Sequence, residues 1–164
     1  MQSQTNIRSN PLLAAGVLAG PFFIIVSIIQ DVTRPGFHPL RCQVSHLAIG
    51  DFGWVQAINF FVTGALVLAF ALGLRQVLRP HKLIPSLFVL IGIGLIAATF
   101  FATEPGYGCP SGIPSVPTGV TINGPAHDAA AGLVWTCLAV AGDYEYVCLD
   151  DYTRCQSLKR EEIV

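Results

Sequence analysis

Apolar positions along this chain fall in long uninterrupted runs, not at amphipathic spacing. Leu12 to Ile29, Gly53 to Leu74 and Leu83 to Ala102 contain no Asp, Glu, Lys, Arg or His. A water-facing helix of that length carries a polar face, so these runs read as helices with apolar surroundings on every side. About 20 apolar residues at about 1.5 Å rise each cover the roughly 30 Å hydrocarbon core of a bilayer, and all three runs are predicted to span it. A fourth run, Ala126 to Ala141, is shorter and opens with His127 and Asp128. It spans with local thinning or with neighbours. The expected fold is all-α, an integral membrane helical bundle of four transmembrane helices at 12–29, 53–74, 83–102 and 126–141. The first run follows Arg8 as a secretory signal would, but it is longer than a signal core and Gln30-Asp31-Val32-Thr33-Arg34 offers no small-x-small cleavage site. It reads as retained.

Composition agrees. Of 164 residues, 52% are hydrophobic and 12% charged, against roughly 25% charged in a soluble domain. The formal charge of -1 supplies no basic field, so nucleic acid is not an expected partner. The bilayer is, with homo- or hetero-oligomers through helix faces as a further expectation.

Positively charged loops resist translocation, so Lys and Arg set the orientation. With a cytoplasmic N-terminus, the inner segments hold Arg8, Arg75, Arg79, Lys82, Arg154, Lys159 and Arg160, while the outer loops hold only Arg34 and Arg41. The chain is therefore expected in the cell membrane as a multi-pass protein with both termini cytoplasmic. The outer stretch from Glu104 to Pro125 is rich in Gly, Pro, Ser and Thr and reads as irregular. After Gly142 the composition turns polar, and 142–164 is expected to be a cytoplasmic tail, unstructured or weakly attached. Asp31 to Phe37 and Thr103 to Tyr107 share an acid followed by Pro-Gly-aromatic, which is a weak repeat or a chance pair of turns.

Candidate chemistry gathers on the outer side. Gln56, Asn59 and Thr63 stand at i, i+3 and i+7 on one face of the second helix, where lipid cannot satisfy them. They read as interhelical glue or as the wall of a ligand site. Gly16 and Gly20 form a G-x-x-x-G pair that would let a backbone approach. His127 and Asp128 enter the membrane with the fourth helix, and Asp128 can alternatively be read as a first-turn carboxylate stabilised by the helix dipole. Arg34, Arg41, Ser45, His46 and Glu104 complete a candidate polar cluster. The outer histidines could hold zinc, but no ligand spacing supports it, so no metal and no cofactor is assigned. Cys42 and Cys109 lie in the two outer loops and form a candidate disulfide.

Arg34-Pro35-Gly36-Phe37-His38-Pro39-Leu40-Arg41, Val44-Ser45-His46-Leu47 and Gly53-Trp54 through Asn59-Phe60 resemble the family of polytopic membrane proteins called domain of unknown function 998. Glu104-Pro105 and His127-Asp128 resemble its later elements. The resemblance covers roughly residues 11–141 and implies an integral membrane protein of unestablished activity. Family members read acidic where this chain has His38 and His46, and they continue into further membrane helices. The resemblance thus implies a C-terminally truncated or divergent member.

The functional expectation is a non-enzymatic membrane protein with a helix-packing or assembly role. The alternative is an outer-leaflet lipid or small-molecule hydrolase using a His/Asp site. Orientation is directly testable. In a cysteine-free background, single cysteines at Ser3 and Ser157 should resist a membrane-impermeant thiol reagent in intact cells, while one at Ser111 should react. Labelling at the termini but not at Ser111 reverses the assignment.

Overall fold

The computed structural model describes residues 10–78, 81–106, 108, 109, 111 and 121–161, with 145–161 as backbone alone. The predicted basic residues Arg8 and Arg79 and the loop stretch 112–120 lie outside the described residues. Four α-helices follow one another: α1 (Pro11–Thr33), α2 (Gly53–Val77), α3 (Leu83–Phe100) and α4 (Asn123–Glu161), with a short 3-10 turn at Val44–Ala48. Among the described residues the only extended pairing is an isolated bridge between Gly106 and Cys109. Helices α1, α2 and α3 are each long and apolar enough to cross a membrane.

Local chemistry sets the helix ends. Asn10 caps α1, its side-chain oxygen accepting from Leu12 N–H at 3.0 Å, and Pro11 occupies the first turn where no N–H is needed. The helix runs past the predicted end at Ile29 because the Gln30 Nε2 finds an acceptor across the interface, in Gln56 Oε1. It stops at Arg34, whose extended backbone is what a following proline imposes. Helix α4 begins at Asn123, earlier than predicted, because Pro125 falls in the first turn where its missing N–H costs nothing. It also continues well beyond Ala141, contrary to the expected unstructured tail. No proline or glycine follows Gly142 before Glu161, and extending an existing helix avoids the cost of nucleation. At about 1.5 Å per residue a helix of 39 residues outreaches any hydrocarbon core, so its polar half projects from the bundle.

The helices pack in series, α1 on α2, α2 on α3 and α3 on α4, each pair antiparallel. Between apolar helices in lipid there is little hydrophobic driving force, so close approach and polar bonds carry the association. Between α2 and α3 the approach is set by Gly64 and Gly92. A Cβ on Gly64 would sit 2.9 Å from the Gly92 carbonyl oxygen, and one on Gly92 would sit 3.0 Å from that of Gly64. Phe70 and Phe88 meet edge to face at 5.0 Å beneath them. Gly94 performs the same service for α3 and α4, against the Ala130 carbonyl. The apolar core runs through Ala19, Val67, Leu87, Ile91, Cys137 and Ala141.

The α1–α2 interface is polar at its centre. Asn59 Nδ2 donates to the Phe23 carbonyl at 3.2 Å, to Ser27 Oγ at 3.2 Å and to Gln56 Oε1 at 3.3 Å. Gln30 Nε2 donates to the same Gln56 oxygen at 2.7 Å, and the Thr63 hydroxyl donates to Asn59 Oδ1 at 3.5 Å. Gln56 and Asn59 are wholly buried. Replacing Asn59 with Leu should lower stability in detergent by about 1–2 kcal/mol, and Ser27→Ala by less, since it removes one of several partners. Gly92→Val should cost about 1–3 kcal/mol by forcing α2 and α3 apart. Equilibrium unfolding in mixed micelles reads both, and wild-type stability in Asn59→Leu would show the ladder to be idle.

Candidate functional site

At the end of the bundle where α1 stops, the two long connections are welded together. Cys42 and Cys109 form a disulfide with Cα atoms 5.5 Å apart. Phe37 and Leu47 pack around it as a small apolar cluster with Val44 against its side. Gly36, in the left-handed region at φ 76°, turns its carbonyl toward the second connection, where Ser111 N–H donates at 3.2 Å and Ser111 Oγ at 2.7 Å. Arg34 ties the turn Val44–Ala48 to the top of α1, its Nη1 donating to the Leu47 carbonyl at 2.6 Å and to that of Ile49 at 3.0 Å. Burial lowers the Arg34 pKa while the Asp51 carboxylate opposes that shift.

Two buried histidines sit beside this platform in opposite tautomers. His46 Nδ1 accepts from the Gln43 N–H at 3.1 Å, so a neutral His46 carries its proton on Nε2. Burial, and then the neighbouring His127, push His46 below its ordinary value against the pull of Asp128. His127 Nδ1 lies 2.8 Å from the Phe101 carbonyl oxygen, which can only accept. His127 therefore donates from Nδ1, and in a neutral His127 the acceptor is Nε2. Its ring meets Phe60 edge to face at 6.2 Å, and its exposure is 2%.

Beneath these groups a cleft of about 960 Å³ opens between α1 and α4, with α2 and α3 as its back wall. Its length is apolar, from Ala19 and Phe23 on α1 to Trp135 and Leu138 on α4. Gln43, Ser45, His127 and Asp128 line its polar mouth. Gly20 faces the cleft, and a Cβ there would meet nothing within 4 Å, whereas one on Gly16 would collide with the Phe70 ring. The G-x-x-x-G pair thus receives one aromatic ring and borders open space; no backbone docks on it. At the opposite end a recess of about 500 Å³ is lined by Arg75, His81 and Lys82 with Leu12 and Leu72.

The carboxylate at the start of α4 is Glu104, not Asp128. Glu104 Oε1 accepts from Thr121 N–H at 2.7 Å and from Thr121 Oγ1 at 2.8 Å. These bonds, with a further one from the Gly124 N–H, hold its pKa below the ordinary glutamate value. A Cβ on Gly124 would fall 2.6 Å from the Glu104 carboxyl carbon, so glycine admits the anion. No acidic residue lies in the first turn of α4. Asp128 belongs to the second turn and is exposed, which corrects its reading as a first-turn cap.

Of the predicted cluster, Ser45, His127 and Asp128 line the cleft mouth, and His46 is buried close enough to feel the charge of the latter two. Gln56 and Asn59 belong to the α1–α2 ladder instead, Arg34 is spent on two carbonyls, Arg41 is exposed, and Glu104 serves the helix start. Gln43 at the mouth, and Ser27 and Gln30 in the ladder, are polar groups that sequence reasoning missed. Ser27 and Gln30 share one face at i, i+3, a signal hidden by ending the helix at Ile29. Among the described residues no group of three potential metal ligands assembles. Because Glu104 has a lowered pKa in the folded state, it contributes stability above the ordinary carboxylate pKa that is lost as pH falls through its folded value. Glu104→Gln should therefore flatten the acid limb of the melting temperature measured against pH in detergent; an unchanged limb would show the carboxylate to be uncoupled from folding.

No curated protein and no solved structure matches the chain. A family model described as a protein of unknown function (DUF998) matches residues 17–144. That span takes in the disulfide, both histidines, the cleft and all of α2 and α3, and the chain belongs to the DUF998 family of proteins of unknown function.

Proposed function

We propose that this multi-pass membrane protein is non-enzymatic and binds a single amphiphile, its chain lying in the cleft between α1 and α4 and its headgroup at the mouth formed by Ser45, His127 and Asp128. The observation that carries the reading is the cleft itself, about 960 Å³, apolar along its length and polar at one end. In a bilayer such a space has hydrocarbon as its solvent, and a lipid-shaped molecule matches both of its parts. The Cys42–Cys109 disulfide supports an oxidising compartment on the mouth side, and Arg75, His81 and Lys82 at the far end support a cytoplasmic face there. Together they favour insertion in the cell membrane with both termini cytoplasmic and the mouth in the outer leaflet.

Ser45 and His127 lining one cleft favour hydrolysis as a second reading. A serine nucleophile needs its base within hydrogen-bond reach. The Ser45 hydroxyl has Gln43 Oε1 as its partner, at 3.5 Å, and His127 is oriented by a carbonyl and not by a carboxylate. Binding is therefore the better supported role. Gly20→Leu puts its Cβ in open space and projects a side chain into the cleft, which separates the outcomes. Native mass spectrometry of protein released from membranes should show a lipid adduct on wild type that Gly20→Leu loses at unchanged melting temperature. Adducts of equal abundance on both would overturn the cleft as the site, and a lipid-free dimer would favour assembly through helix faces.

A further inference from the structure

The cleft mouth has an electrostatic character that narrows the headgroup. Among the described residues no lysine or arginine lines it, and Asp128 is the one carboxylate there. A phosphate or carboxylate headgroup would enter this mouth without a countercharge and beside an anion, which burial makes costly. A zwitterionic phospholipid would leave its phosphate in the same position.

Asp128 also lacks a structural employment. Glu104 already supplies the anion at the start of α4. Among the described residues Asp128 has no hydrogen bond or ion pair, and its recorded interaction is a coulombic pull on His46. Beside it stands a second, independent feature: His127, 98% buried and lining the cleft, whose Nδ1 lies 2.8 Å from the Phe101 carbonyl oxygen, so that a neutral His127 carries its lone pair on Nε2. Gln43 lines the same mouth, its Oε1 accepting from the Ser45 hydroxyl at 3.5 Å. An alkylammonium carries three N–H donors and one positive charge, and Asp128 and His127 offer it a carboxylate and an imidazole nitrogen.

Asp128, Ala131, Trp135 and Leu138 lie at i, i+3, i+7 and i+10 and all line the cleft. The stripe descends about 15 Å along α4 from the carboxylate. An alkyl chain whose head is held at Asp128 would run along it and pass Trp135.

We propose that the headgroup held at this mouth is a primary amine, so that the bound amphiphile is a long-chain alkylammonium of the sphingoid-base type. This rests on the reading of the cleft as an amphiphile site.

Trp135 provides the reporter, since Trp54 is the other tryptophan and is exposed on α2. Trp54→Phe protein in phosphatidylcholine nanodiscs is titrated with dodecylamine, dodecanol and dodecanoate while Trp135 fluorescence is followed. Dodecylamine should saturate at a concentration about tenfold below dodecanol, as one partly desolvated ion pair provides, with dodecanoate weakest. Adding Asp128→Asn should bring the amine to the level of the alcohol, while Asp51→Asn, an equal change of charge on a residue that does not line the cleft, should leave the preference intact. Partition into the nanodisc is common to all three proteins and cancels in the comparison. Saturation by all three amphiphiles at one concentration would overturn the amine assignment and leave the cleft reading standing. Saturation by none, with Gly20→Leu indistinguishable, would overturn both.

Discussion

Hydrocarbon accepts and donates no hydrogen bonds, and nearly every feature of this molecule answers to that fact. The backbone closes its own bonds in four helices. Side-chain amides inside the membrane have to find one another, which is why Gln30 of α1 and Asn59 of α2 both donate to a single oxygen, Gln56 Oε1. Asn59 reaches further, to the Phe23 carbonyl of α1. The ladder fixes the register of α1 on α2, and that register decides where α1 ends, where the chain turns into Val44–Ala48 and where the disulfide platform stands.

The same solvent makes glycine the currency of helix packing. Leucine is as content in lipid as against leucine, so α2 and α3 gain contact only where both backbones come close, at Gly64 and Gly92. Glycines that meet nothing carry the opposite information. Gly20 lies at a place where protein is absent, and the cleft beside it follows from serial packing, in which α1 and α4 flank α2 and α3 without forming a packed interface of their own.

Much of the architecture was legible because uncharged runs have a single physical meaning at that length. Helices α2 and α3 begin at the residues where polarity disappears, Gly53 and Leu83. Legibility failed where a polar residue was satisfied by something distant in sequence. Gln30 and Asp31 look like the start of a loop until Gln56 is known to face Gln30, and α1 then runs on to Thr33. Polar composition after Gly142 reads as a tail because solubility says nothing against a helix, and helix continuation depends on the absence of breakers. The site divided in the same way. Ser45, His46, His127 and Asp128 were identifiable as polar groups at one depth. The direction of each ring nitrogen was not, because Phe101 and Gln43 contribute through backbone groups that carry no sequence signature.

The two carboxylates near the start of α4 show how one geometric fact redistributes roles. A helix N-terminus attracts one anion, and sequence proximity favours Asp128 for it. The helix begins five residues before Asp128, and Gly124 leaves a space that the Glu104 carboxylate fills from the preceding connection. With the dipole and the free N–H groups answered by Glu104, nothing among the described residues consumes the charge on Asp128. It stands next to His127, which lines the same cleft. A charge that folding does not need, placed at the rim of an apolar space that folding does not fill, is best explained by a molecule that supplies both the counterion and the chain.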